Sequence, residues 1–122
     1  MTMQKINLSD KFGKLPAGDY AVRLVAKMNN YDVKIVKFKG DFVWHRHPET
    51  DETFIVIEGT LVMNLRDGKV EVGAGEMIIV PKGVEHRPSS DDGYKALLIE
   101  PEGVANTGDV RSEITIEKVE WE

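Results

Sequence analysis

The segment GDFVWHRHPETDETFIVIEG, residues 40–59, holds the key to this chain. A β-favouring run opens it, Pro48 stops that run, and a second run, TFIVI at 53–57, follows a short polar turn. Side chains of a strand alternate between its two faces, so His45 and His47 would project from one face about 7 Å apart along the chain. Two imidazoles at that spacing can converge on one ion with bonds of about 2.0–2.2 Å. The turn from Pro48 to Asp51 returns the chain antiparallel and makes Glu52 the first inward residue of the next strand. A second segment, GEMIIVPKGVEH at 75–86, carries the remaining histidine, His86. It follows Pro81-Lys82-Gly83, a tight turn able to swing it over the mouth of a barrel.

Three neutral imidazoles and one carboxylate suit Fe, Mn, Ni, Cu or Zn, with one divalent ion, Mn, Fe, Ni or Zn, expected, and leave one or two coordination positions open. Glu49, Asp51, Glu58 and Glu85 read as solvated turn residues, with Asp51 able to replace Glu52 if the turn shifts by one.

Working outward, short β-type runs recur with turn residues between them. Asp32 to Lys39, Asp41 to His47, Thr53 to Ile57, Leu61 to Leu65, Lys69 to Val72, Met77 to Val80 and Lys95 to Ile99 read as strands. Asp67-Gly68 is a hairpin signal, since both residues tolerate positive φ. This rhythm, without helical periodicity, argues for an all-β sandwich or barrel. TFIVI, MIIV and ALLI are apolar on both faces, as strands covered on both sides are. Residues 6–15 read as a short helix capped by Asn7 or Ser9, or as an irregular arm; 102–112 read as a loop and 113–121 as a final strand.

The two histidine segments resemble the two sequence motifs of the cupin superfamily. Its first motif is Gly, five residues, His-x-His, three or four residues, Glu, six residues, Gly. Its second is Gly, five residues, Pro-x-Gly, two residues, His, three residues, Asn. Here four residues separate Gly40 from His45, and Ser90 stands in the place of the Asn; the other spacings agree. The resemblance covers residues 40–90 and implies a double-stranded β-helix (jelly-roll) barrel, with a metal bound by His45, His47, Glu52 and His86. The chain looks most similar to small one-domain cupins often labelled mannose-6-phosphate isomerase-like, through Leu98-Ile99-Glu100-Pro101 and Asn106-Thr107-Gly108.

The bulk numbers bound the rest. The 122 residues fit one domain, 1–122, with a barrel core over about 32–101 and short extensions at each end. A net charge of -5 offers nothing to nucleic acid or an anionic membrane, and the absence of cysteine excludes disulfides, thiolate nucleophiles and Cys-based metal sites. No apolar run approaches the ~20 residues of a membrane span, and the N-terminus lacks a signal-peptide core, so the expected location is cytoplasmic.

Alternation counted from the histidines puts Val43 inward and Phe42, Trp44 and Arg46 outward. Phe54, Val56, Met63, Met77 or Ile78, and Leu98 are the other expected inner-face residues, for core or for ligand contact. The expected activity is that of a metalloenzyme acting on a small molecule, by dioxygenase-type or Lewis-acid isomerase chemistry. The alternatives are a barrel that binds or senses a small ligand, and a purely structural metal. Outward Phe42 and Trp44, with the two-faced strands, point to a homodimer.

Overall fold

The computed structural model describes residues 3–122. One antiparallel sheet of six strands curls into a jelly-roll barrel, with strand order β1-β2-β6-β3-β4 and β5 paired to β3. The strands are β1 (Tyr20–Met28), β2 (Tyr31–Asp41), β3 (Glu52–Leu65), β4 (Gly68–Gly73), β5 (Met77–Val80) and β6 (Arg87–Pro101). A six-residue helix, α1 (Leu8–Gly13), precedes them, and Asn7 caps it by accepting from the backbone N–H of Asp10.

The closure depends on the two long strands. β3 pairs with β5 and with the second half of β6 through residues 53–56, then with β4 and the first half of β6 from residue 60 onward. Register shifts at Val56/Glu58 and Gly59/Val62 bend it between these partners. Gly59, at φ +78°, lies so close to the Gly93 carbonyl that a β-carbon there would overlap it. Glu58-Gly59 therefore bends one strand where the sequence suggests the end of it.

Other boundaries also move. The β3–β4 turn consists of Arg66 and Asp67, and Gly68 already pairs with Leu65, one residue off the Asp67-Gly68 reading. β1 is an additional strand, hydrogen-bonded to β2, that the sequence does not announce because Lys27 and Arg23 interrupt its apolar pattern. Two expected strands are absent. Residues 42–47 form only an isolated bridge, His45 with His86, and 113–121 only one, Trp121 with Leu24. In both places the segment is held by scattered backbone and side-chain hydrogen bonds rather than by a ladder. The Asn106 Oδ1, for example, accepts from the N–H of Ile116.

Inside the barrel, Val22, Val36, Phe38, Phe54, Val56, Leu61, Met63, Val72, Val80, Tyr94, Ala96 and Leu98 make one core. On the outer face, Phe12 of α1 packs with Val25, Ile35, Val33 and Leu97. Burial of a side chain of this size contributes about 1.5–3 kcal/mol, enough to hold a six-residue helix that would not form alone. No helix among the described residues is long and apolar enough to cross a membrane.

Candidate metal centre

His45, His47, Glu52 and His86 meet at one end of the barrel. One potential ligand atom of each lies within 4.8 Å of all the others, and all four side chains are buried. The bridge sets two of them. The backbone N–H groups of His45 and His86 donate to each other's carbonyls at 3.0 and 2.8 Å. Gly83 donates to the carbonyl of His47 at 2.8 Å, tying the Pro81–Gly83 turn to the ligand loop. The side chain of Asp51 accepts from Lys82 N–H at 2.9 Å in that turn, so it braces the loop and Glu52 alone faces the histidines. Glu49, Glu58 and Glu85 are exposed; Glu58 meets Lys95, and Glu85 meets Arg66.

The donor set fits a metal ion. Nδ1 of His45 donates to the carbonyl of Val43, and Nδ1 of His86 to that of Val84, both at 2.9 Å. Bonds of this kind orient the ring and leave Nε2 as the ligating atom. His47 buries both ring nitrogens without a hydrogen-bond partner among the described residues. Its Nε2 is 3.2 Å from Glu52 Oε2 but not aligned for a hydrogen bond, so the two atoms face a common point. Unpaired buried polar atoms cost about 1–3 kcal/mol each, and a cation between them removes that cost.

The electrostatics agree. Burial, then the neighbouring His86, hold His45 down to about 4. Burial also pulls His86 down, but the hydrogen bond and the charge of Glu52 outweigh it and raise it above the usual histidine range. Burial works against ionised Glu52, yet His47 and His86 bring it well below the ordinary carboxylate range. The centre thus keeps a carboxylate and at least one neutral imidazole, as ligation requires.

Beside His45 and Glu52 lies a chamber of about 30 Å³, lined by Tyr20, Val36, Phe38, Phe42, Phe54, Pro88, Tyr94, Leu98 and Asn106. Phe54 and Leu98 stand on this wall, while Val56 and Met63 lie in the fully buried core. Three expectations need correction. Val43 is half-buried and absent from the wall, and Phe42 lines it instead, edge-on to Tyr20, Phe38 and His45 with ring centroids 5.3–5.6 Å apart. The reason is that 42–47 is not a strand, so alternation does not carry back from His45. Met77 is 55% exposed on the outer face, and Ile78 packs against the core in its stead. Trp44 does turn outward, under the guanidinium of Arg66 at 3.9 Å.

Tyr20 and Asn106 went unread as site residues: Asn106 lies in a stretch of family resemblance that assigns it no role, Tyr20 lies in none, and only the fold brings β1 and the C-terminal segment together. Nδ2 of Asn106 donates to the Tyr20 hydroxyl at 2.9 Å and to the Ile114 carbonyl at 2.7 Å. Ser90, at the motif's Asn position, donates to the Thr60 carbonyl and accepts from Gly93 N–H, bracing the bend of β3 against β6.

A cupin-domain family model matches residues 34–100, more than half of the chain, and the protein belongs to that family. An uncharacterised Bacillus subtilis protein, YdbB, is 37% identical over 67 residues, covering 54% of this chain and 59% of its own length. The crystal structure of a cupin-2 domain protein from Shewanella frigidimarina superposes with a TM-score of 0.76 at 47% identity, covering 80% of this chain and 94% of its own. A Neisseria meningitidis protein superposes at 0.73 with 30% identity, over 81% and 100% of the two chains.

Proposed function

We propose that the chain is a metalloprotein in which His45, His47, Glu52 and His86 hold one divalent transition ion, and that it acts on a small molecule. The convergence of four buried donors, with no further His, Asp or Glu closing the set among the described residues, is the observation that carries this reading. When bound, the ion would supply dioxygen activation or Lewis-acid polarisation of a substrate oxygen.

The chain's own residues contribute around it. Phe38, Phe42, Phe54 and Leu98 give the chamber its apolar walls. Tyr20 is pushed up to about 12, first by burial, and therefore stays protonated at neutral pH. Its oxygen accepts from Asn106, so its own proton is available to a ligand oxygen. On the other side of His47, a cleft of about 310 Å³ lined by Pro48, Glu49, Thr50, Val104, Ala105 and Gly108 offers an approach from solvent.

A second reading, a barrel that binds a ligand without turnover or uses the metal only as a brace, is favoured by the chamber's size. About 30 Å³ holds one or two waters and no larger substrate unless the segment carrying Asn106 moves. Oxygen uptake by the Fe(II)-loaded protein, screened against small enols, diketones, thiols and phenols, tests the enzyme. Turnover abolished in His86→Ala supports it. If Fe(II) and Mn(II) forms turn over nothing but a ligand raises the melting temperature, the binding reading replaces it; if metal removal merely unfolds the barrel, the metal is structural.

A further inference from the structure

Beside Glu52, the inner face of the barrel buries three charged side chains that the proposed chemistry does not use: Asp32, Lys34 and Glu100. Lys34 is 5% exposed and Glu100 1%. Strand register places them. β6 pairs with β2 at Leu98↔Lys34 and Glu100↔Asp32. It pairs with β3 at Phe54↔Leu98 and Thr53↔Ile99, which brings Glu100 level with Glu52. Lys34 Nζ donates to Oε1 of Glu100 at 3.1 Å, and Asp32 Oδ2 stands 4.0 Å from the same nitrogen. The second oxygen of Glu100 is buried without a hydrogen-bond donor among the described residues, and the register that pairs Thr53 with Ile99 sets Glu100 beside Glu52 on the neighbouring strand.

Burying an ammonium and a carboxyl group costs several kcal/mol per ion, and an apolar pair of similar volume is often the more stable choice. A barrel needing only a filled interior gains nothing from Lys34 and Glu100. What the pair does have is a place beside a candidate metal ligand, Glu52, on the adjacent strand, and groups that hold ligands in place set both their orientation and the affinity of the site.

We propose that Glu100, anchored by Lys34, is a positioning residue that holds the Glu52 carboxylate with its oxygens turned toward His47 and His86. Oε1 of Glu52 is 3.2 Å from His86 Nε2 and Oε2 is 3.2 Å from His47 Nε2, so one carboxylate spans two imidazoles. A modest rotation would break that arrangement. Glu100 closes the side toward β6, and Lys34 keeps Glu100 from turning away. The inference rests on the metal reading of the four ligands.

Titration of the full-length, metal-free protein with Co(II), followed by calorimetry and by visible absorption, tests it. Glu100→Leu is expected to weaken Co(II) binding about 10–100-fold and to change the absorption bands. Lys34→Met is expected to weaken it to a smaller extent, and to add nothing once Glu100→Leu is present. Glu100→Gln, which keeps shape and polarity, is expected to recover most of the parent spectrum. The proposal is overturned if Glu100→Leu binds Co(II) with the parent's affinity and spectrum, or if Lys34→Met weakens binding equally with and without Glu100. It is overturned too if Glu100→Leu lowers the melting temperature of the metal-free protein and leaves Co(II) binding unchanged, since that marks a purely structural pair. Should Glu100→Leu fail to fold, the Lys34→Met titration decides, and binding at the parent's affinity overturns the proposal. A parent protein that binds no Co(II) removes the metal centre itself, whereas Glu100→Leu and Lys34→Met variants that match a binding parent remove only this role for Glu100.

Discussion

Gly108 lies so close to the backbone carbonyl of Arg46 that a β-carbon at 108 would overlap it, and would also come within 3.2 Å of His47 Nδ1. The next residue completes the clasp. Asp109 donates from its N–H to the Arg46 carbonyl at 3.0 Å, and its carboxylate accepts from the N–H and Nε of Arg46. The loop that carries two ligands is thus pinned by the C-terminal segment. With φ at +55°, position 108 also has the backbone conformation that glycine adopts most cheaply. Gly108→Ala should cost about 2–4 kcal/mol in stability. It should also weaken metal binding, because relief of the overlap displaces Arg46 and with it His45 and His47. Thermal unfolding with and without metal checks both effects; an unchanged melting temperature would contradict the close approach.

Elemental analysis should find one transition ion per chain, lost in a His45→Ala, His47→Ala double variant. Added metal at 100 times its dissociation constant should stabilise the folded protein by about 2.7 kcal/mol. A stoichiometric ion that survives in the double variant would place the metal elsewhere. Affinity order favours Cu and Zn in vitro, so loading from a defined medium is needed to identify the native ion.

His45 gives the metal-free protein a pH dependence of known sign. Its ordinary value of 6.5 in the unfolded chain is lowered to about 4 in the folded one. Between these values the unfolded form binds more protons, so stability rises with pH and is lost as pH falls through the window. His86 is raised, and its contribution is present below the ordinary range and lost as pH rises through its own higher value. The melting temperature of the metal-free protein is therefore expected to drop from pH 6.5 to 4, less steeply in His45→Asn. A flat profile in that window would refute the assignment.

The homodimer is still a proposal, and the residues that argue for it have changed. Phe42 is turned inward, but Ile57, Met77 and Ile79 lie exposed on adjoining positions of β3 and β5. Half-buried Ile55 and Ile99 continue the row across the sheet. A second copy of the chain is the expected cover, because monomers seldom leave such a row in water. Light scattering at micromolar concentration should give a mass of two chains, falling to one in Met77→Glu; a monomeric parent would end the proposal.

The sequence by itself determined the all-β class and the four candidate ligands. Both are local properties: alternation and turn residues follow from neighbours in the chain, and His45, His47, Glu52 and His86 occupy motif positions of fixed spacing. What surrounds the ligands was legible only in part: Phe54 and Leu98 line the chamber as expected. Val43 was assigned to the pocket on the assumption of a regular strand, and one bridge in place of a ladder was enough to put Phe42 there instead. Asp32, Lys34 and Glu100 look like ordinary surface charges in sequence, because a strand's pattern does not say which face another segment will cover. The tertiary structure buries them by laying β2 against β6 with Glu52 alongside. It also brings Tyr20 to Asn106, 86 positions apart, and Arg46 to Asp109, 63 apart. Contacts of that range depend on how strands bend at Gly59 and how the C-terminal segment returns across the barrel, and no local spacing encodes either.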